Sequence, residues 1–82
     1  MTQDEIRQKA RASLARVLKV TPESIGDNAS QTELADWDSV RHMNVVLALE
    51  NDFDIQFDDA ELPKLTSLPM LVAAVERHVA GS

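Results

Sequence analysis

Cysteine is absent from the 82-residue chain, and aromatic side chains are few. Without cysteine there is no disulfide and no thiolate metal site, which suits a reducing cytosol, so we expect a cytoplasmic protein. No apolar run approaches the roughly 20 residues that span a membrane. An apolar core is also missing from the N-terminal MTQDEIRQKA, and we expect neither a secretory signal nor a transit peptide. The length predicts one small domain over residues 1–82.

Basic residues are scarce beyond the start of the chain. The sequence has 14 acids and 8 bases, for a net charge of −6, and the stretch from Glu50 to Glu61 holds six acids and no base. This distribution argues against nucleic acid as a partner, because phosphates attract clustered Lys and Arg. It favours encounter with basic protein surfaces. The competing interpretation is that the acids simply keep a small protein soluble.

Helical spacing of apolar residues dominates the sequence. The first predicted helix runs from Gln3 to Lys19 and ends before Thr21-Pro22, because proline disfavours helix in the residue before it. Its apolar face comprises Ile6, Ala10, Leu14, Val17 and Leu18. The connection from Thr21 to Asp38 is long for so small a domain, and loops of this length are often functional. Its predicted anchors to the core are Ile25, Ala29 and Leu34.

The second half of the chain predicts two further helices and a short one. The second helix begins at Asp38 or Ser39 and runs to about Asp52. In the acidic segment that follows, Ile55 and Phe57 are predicted to pack inward, and a single helical turn runs from Asp58 to Leu62, before Pro63. The last helix runs from Leu68 to Val79, with Thr66 or Ser67 as its cap and Gly81 at its end. The fold class is therefore all-α, a small four-helix bundle of three main helices and one short helix, with its core in residues 3–79.

The second helix is more apolar than one buried face requires. Val45, Leu49 and Phe53 form one stripe, and Val40, Met43 and Leu47 form another on a different side of the cylinder. If the first stripe is core, the second is an exposed apolar strip with an acidic rim, which is typical of a docking surface. The alternative is that the helix is central and buried on most sides.

Ser39 lies at the N-terminus of this helix, and its position can be interpreted in two ways. Unpaired N–H groups and the helix dipole favour an anion there, so a phosphate attached to its oxygen would lie in a favourable field. The alternative is a plain N-cap, a role that either Ser39 or Asp38 can fill.

Asp38-Ser39-Val40, followed by 49-LENDFDIQF-57, an acidic turn and a helix opened by Thr or Ser, resembles the acyl carrier protein family. The upstream Asp27-Asn28-Ala29-Ser30 is similar to the family's first loop. The resemblance extends from about Glu5 to Val79. Asp-Ser-hydrophobic alone is a weak signal, but the other features follow it in the family's order.

The resemblance implies that Ser39 receives 4′-phosphopantetheine from coenzyme A, through the action of a separate phosphopantetheinyl transferase. The arm's thiol then holds acyl groups as thioesters, so the working thiol is imported on a cofactor and the chain itself is not an enzyme. Enzymes that load and transfer the acyl group, with basic docking patches, are the implied partners. The implied partner contacts are Asp38, Val40, Met43, Leu47 and Glu50. We expect a monomer that binds neither nucleic acid nor membrane.

Several residues depart from the family pattern. Asp36 replaces a common Gly, Trp37 precedes Asp38, and Arg41 and Asn44 stand where acids are common. The Trp-Asp-Ser motif resembles free-standing carriers of specialised pathways more than the housekeeping fatty-acid carrier. We expect Trp37 to pack under the loop, His42 to face solvent although it lies one turn beyond Ser39, and His78 to lie on the surface.

Three other functions compete with the acyl carrier. A carrier for amino acids or aryl acids more often shows Gly-Gly before the serine motif, and Asp36-Trp37 argues against it. An unmodified helical adaptor for a basic partner predicts that Ser39→Ala leaves function intact. An esterase using Ser39 lacks a placed base and an oxyanion site.

Overall fold

The structure is a computed structural model that describes residues 2–34 and 36–80. Its helices are α1 (Gln3–Leu18), α2 (Ser39–Phe53) and α3 (Leu68–Ala80), and two 3₁₀ turns lie at Pro22–Ser24 and Leu62–Lys64. Within these ranges the extended pairing is limited to one isolated bridge, between Ser30 and Ser67. The all-α prediction is therefore confirmed. No helix in the described ranges has the length and apolarity to cross a bilayer.

Local chemistry fixes both ends of α1. Thr2 and Glu5 form a capping box, in which each side chain accepts a hydrogen bond from the other residue's backbone N–H. The Thr2 hydrogen bonds lower the pKa of Glu5. Lys19 adopts a left-handed conformation (φ 59°) and its N–H donates to the Ala15 carbonyl. The helix thus ends at Leu18, one residue before the predicted end.

α1 packs against both α2 and α3 and is the centre of the bundle. Its predicted apolar face is confirmed: four of the five residues are buried and Val17 is half-buried against them. A polar contact also joins α1 to α2, since the buried Ser13 hydroxyl hydrogen-bonds the Asp52 carboxylate and Arg16 donates to Asp52 at 3.0 Å. The hydrogen bond from Ser13, followed by Arg16, lowers the pKa of Asp52.

The long connection between α1 and α2 is held by its apolar anchors, as predicted. Ile25 and Ala29 are buried, and Leu34 is half-buried against the core. Backbone hydrogen bonds tie the loop to the segment before α3, from Leu68 N–H to the Ala29 carbonyl (2.8 Å) and from Gln31 N–H to the Thr66 carbonyl (2.9 Å). The connection is therefore fixed at its middle as well as at its ends.

The acidic segment after α2 corrects one prediction. Asp54 ends α2 in a left-handed conformation (φ 54°), and Phe57 is buried while Ile55 is half-buried, as expected. The helical turn, however, spans Leu62–Lys64 and contains Pro63, rather than running from Asp58 to Leu62. Proline is acceptable there because the first N–H groups of a helical turn have no partner within it.

Glu61 fastens the acidic segment to α3. Its carboxylate accepts hydrogen bonds from Asp58 N–H (2.8 Å) and Arg77 (3.3 Å) and contacts His78 Nε2 at 2.8 Å. The backbone donor of Asp58, followed by His78, lowers the pKa of Glu61 to about 2. The expectation that His78 is merely a surface residue is wrong, because its ring is half-buried and meets the Phe57 ring edge-on at 5.3 Å.

The start of α3 follows the prediction. The Ser67 hydroxyl accepts a hydrogen bond from Met70 N–H at 3.4 Å, so Ser67 rather than Thr66 caps the helix. The helix continues to Ala80, one residue beyond the predicted end. The predicted stop at Gly81 lies outside the described residues.

Candidate functional site

Ser39 is the first residue of α2, and Asp38 is the residue that caps the helix. The Asp38 Oδ1 atom accepts a hydrogen bond from Arg41 N–H at 2.9 Å, with Asp38 in extended conformation. Ser39 is exposed, and its hydroxyl makes no hydrogen bond to any residue in ranges 2–34 and 36–80. Since Asp38 already caps the helix, the Ser39 oxygen is available at a terminus whose dipole favours an attached anion.

Arg41 partly neutralises the acid beside Ser39. Its Nη1 atom donates to the Asp36 carbonyl oxygen at 3.2 Å and lies 3.6 Å from Asp38 Oδ2. Both carboxylate oxygens of Asp38 therefore face groups of Arg41, one the backbone N–H and the other the guanidinium. The surface near Ser39 presents less negative charge than the sequence motif alone suggests.

The two apolar stripes of α2 have opposite environments. Val45, Val46, Leu49 and Phe53 belong to the core, whereas Val40, Met43 and Leu47 are 77%, 47% and 53% exposed. The alternative of a central helix buried on most sides is thus wrong. Val40, Met43 and Leu47 form what we call the outer strip, an apolar surface that begins directly beside Ser39.

Glu50 lies at the far end of the outer strip and also has a structural role. Its Oε2 atom accepts a hydrogen bond from Phe57 N–H at 2.8 Å, which holds the acidic segment against α2. The side chain is half-buried. The hydrogen bond from Phe57 therefore orients the Glu50 carboxylate.

His42 corrects the expectation of a solvent-facing ring. Its Nδ1 atom accepts a hydrogen bond from Trp37 Nε1 at 3.1 Å, and its Nε2 atom lies 2.9 Å from the Leu62 carbonyl oxygen. The Trp37 and His42 rings stack at 6.1 Å. Trp37 is 2% exposed, as expected for packing under the loop. Helical spacing carried a signal for His42, since it precedes the buried Val45 and Leu49 by three and seven residues.

Chemistry by the chain's own side chains has little support at this site. Both ring nitrogens of His42 have intramolecular partners, so the ring is not set up to act as a base toward Ser39. In the described part of the chain, no three or more His, Asp or Glu side chains cluster as metal ligands. The site presents an exposed hydroxyl, a helix terminus and an apolar strip.

Comparison with known proteins gives this arrangement a family. The model of the phosphopantetheine attachment site matches residues 8–75. The acyl carrier protein of Thermosynechococcus vestitus is 32% identical over 81 residues, covering 99% of this chain and all of that protein. This chain belongs to the acyl carrier protein family. The family's members are carriers rather than catalysts.

Two other acyl carrier proteins are similar to this chain over most of their length. The acyl carrier protein of Cyanidioschyzon merolae is 28% identical over 78 residues (95% of this chain, 86% of that one), and that of Petrotoga mobilis is 29% identical over 68 residues (83% and 80%). The cofactor of this carrier is a covalently attached 4′-phosphopantetheine. An exposed hydroxyl at a helix N-terminus fits such a group, because attachment needs an accessible oxygen and the terminus stabilises the phosphate charge.

Proposed function

We propose that Ser39 carries the 4′-phosphopantetheine arm and that the chain delivers acyl groups to partner enzymes. The observation that carries this proposal is that Asp38, rather than Ser39, caps the N-terminus of α2. Asp38 supplies the cap, while Ser39 is exposed and its hydroxyl has no hydrogen-bond partner within the described ranges. Modification of Ser39 therefore removes no contact that holds the fold together.

Attachment exchanges the phosphoanhydride bond of coenzyme A for a phosphodiester on Ser39. The Ser39 Oγ bonds to the phosphorus that bears pantetheine in coenzyme A, the bond to the adenosine bisphosphate portion breaks, and the hydroxyl proton passes to a base of the transferase. The dipole at the N-terminus of α2 would stabilise the negative charge of this phosphodiester. Once attached, the arm supplies the terminal thiol that holds the acyl group as a thioester.

We assign the docking surface to the outer strip with Asp38 and Glu50 beside it. Exposed apolar residues at the centre and oriented carboxylates at the rim match the anatomy of a reversible interface. Partners are the phosphopantetheinyl transferase and acyl-loading and acyl-transferring enzymes with basic patches. The pathway is fatty-acid, polyketide or related specialised biosynthesis, in the cytoplasm, and the carrier works as a monomer.

The test is the intact mass after incubation with coenzyme A, magnesium and a broad-specificity phosphopantetheinyl transferase. We expect the wild type to gain one phosphopantetheine and Ser39→Ala to gain none. Circular dichroism checks that both proteins are folded. A folded wild type that gains no mass with several transferases would contradict the proposal and favour the unmodified helical adaptor.

A further inference from the structure

The His42 ring connects two segments that are distant in sequence. Trp37 lies two residues before Ser39, and Leu62 opens the second 3₁₀ turn. The Nδ1 atom of His42 accepts the hydrogen bond from Trp37 Nε1, and its Nε2 atom lies 2.9 Å from the Leu62 carbonyl oxygen. In residues 2–34 and 36–80, no other side chain hydrogen-bonds both of these segments. We call this Trp37–His42–Leu62 arrangement the His42 bridge.

The hydrogen-bond partners of His42 define which of its ring nitrogens carries a hydrogen. An indole N–H only donates and a carbonyl oxygen only accepts. The Nδ1 atom must therefore be the unprotonated nitrogen, and Nε2 must carry the hydrogen that is donated to Leu62. Both hydrogen-bonding positions of the ring are then used, in a single tautomer.

The bridge lies on the same side of α2 as Ser39. Three residues correspond to about 300° of rotation and about 4.5 Å of rise, so Ser39 and His42 are neighbours on the helix surface. The second 3₁₀ turn, held by His42, therefore borders the flank of α2 on which Ser39 lies. Trp37, held on the other side of the ring, sets the chain direction into Asp38 and Ser39.

Resting on the proposed role of Ser39, we propose that His42 is a positioning residue for phosphopantetheine transfer. It holds the segment before Ser39 and the second 3₁₀ turn in fixed relation, so the surface that a transferase must contact around the serine is formed before binding. Preformed surfaces bind with a smaller ordering cost. Losing the bridge therefore raises the KM for the carrier more than it lowers kcat.

Two variants remove the bridge in different ways. His42→Leu introduces an apolar side chain of similar size and loses both contacts, and Trp37→Phe keeps an aromatic ring but loses the indole donor. The matched control is Ser13→Ala, which removes a buried hydrogen bond to Asp52. Asp52 lies 13 residues beyond Ser39, about 20 Å along the helix axis. The control therefore weakens the fold away from the serine.

Initial rates of transfer are measured for each carrier with one broad-specificity transferase, at a temperature where circular dichroism shows all carriers folded. We expect kcat/KM to fall about tenfold for His42→Leu and less for Trp37→Phe, mainly through KM. Ser13→Ala should stay within about twofold of the wild type despite a lower Tm. Nitrogen NMR of the wild type should show His42 protonated on Nε2 alone.

Three results would overturn the inference. The first is a wild-type kcat/KM in His42→Leu or, if that variant does not fold, in a folded Trp37→Phe variant. The second is a fall in kcat/KM for Ser13→Ala as large as that for His42→Leu. The third is a His42 ring protonated on Nδ1. In each case the wild type is still modified, so the role of Ser39 stands. A folded wild type that is not modified would instead overturn the proposed function, and this inference with it.

Discussion

Leu47 and Leu49 lie two residues apart on α2, yet the first is 53% exposed and the second is fully buried. Two residues of the same type thus have different roles in one helix. Leu49 contributes to the core through the apolar area it removes from water. Leu47 leaves much of its apolar area exposed at the surface. The comparison teaches that the apolar content of α2 exceeds what folding needs, and that the excess is concentrated beside Ser39.

The two faces also differ in how their polar residues are used. Toward α1, Asp52 is paired with Ser13 and Arg16 and stabilises the bundle. At the ends of the outer strip, Asp38 and Glu50 accept hydrogen bonds from backbone N–H groups within α2 and the segment that follows it, rather than from α1. Substitutions on the core face should therefore lower the free energy of unfolding. Substitutions on the outer strip should instead lower kcat/KM for phosphopantetheine transfer.

The largest expected effect is that of Leu49→Ala. Removing a fully buried leucine should lower the free energy of unfolding by about 2–5 kcal/mol, because a cavity remains in the core. Urea denaturation followed by circular dichroism measures the loss. A loss below about 1 kcal/mol would mean that the core face of α2 is not the main packing surface.

Asp38→Ala should have an intermediate effect. Loss of the N-cap leaves the Arg41 N–H without its acceptor and should cost about 0.5–2 kcal/mol. Ser39→Ala, one residue further on, should change the free energy of unfolding by less than about 0.5 kcal/mol. The reverse order in urea denaturation would show that Ser39 rather than Asp38 is the cap, and would weaken the proposal that the Ser39 oxygen is free for modification.

A smaller effect is expected from pH acting on Glu61. Its folded pKa of about 2 lies below the unfolded value of 4.5, so its contribution to stability is complete above about pH 4.5 and is lost as the pH falls toward 2. Glu61→Gln should lower Tm at pH 7 and reduce the decline of Tm between pH 5 and pH 2. The control is the exposed loop variant Glu33→Gln. Parallel curves for Glu61→Gln and the wild type would contradict the assigned role.

The smallest effect on stability is expected for Leu47→Ala, with a change of less than about 0.5 kcal/mol because the side chain is exposed. Its kcat/KM in phosphopantetheine transfer should nevertheless fall several-fold, since an interface loses apolar contact. A variant that is destabilised as much as Leu49→Ala would remove the distinction between the two faces.

Apolar periodicity was sufficient to predict the helices, because each burial pattern is local in sequence. The positions of α1 and α3 and the two stripes of α2 all follow from spacings of three and four residues. The partners of His42 and His78 did not follow from spacing. His42 meets Leu62 across 20 residues and His78 meets Glu61 across 17, and the local pattern does not specify such contacts.

The second 3₁₀ turn was misplaced because Pro63 was interpreted as a stop, whereas the turn begins before it and uses its fixed φ. Family resemblance and the helix terminus together predict Ser39 as the attachment residue, which stays a prediction. What the structure adds is the cap at Asp38 and the exposure of the outer strip, both of which require coordinates.

The most direct test of the central claim is peptide-level tandem mass spectrometry of the modified protein. The claim is that the head of α2 presents Ser39 for attachment while Asp38 maintains the helix. We expect the arm on the peptide containing Ser39, and none on Ser13, Ser24, Ser30, Ser67 or Ser82. Attachment to any of those serines, with Ser39 unmodified, would contradict the account.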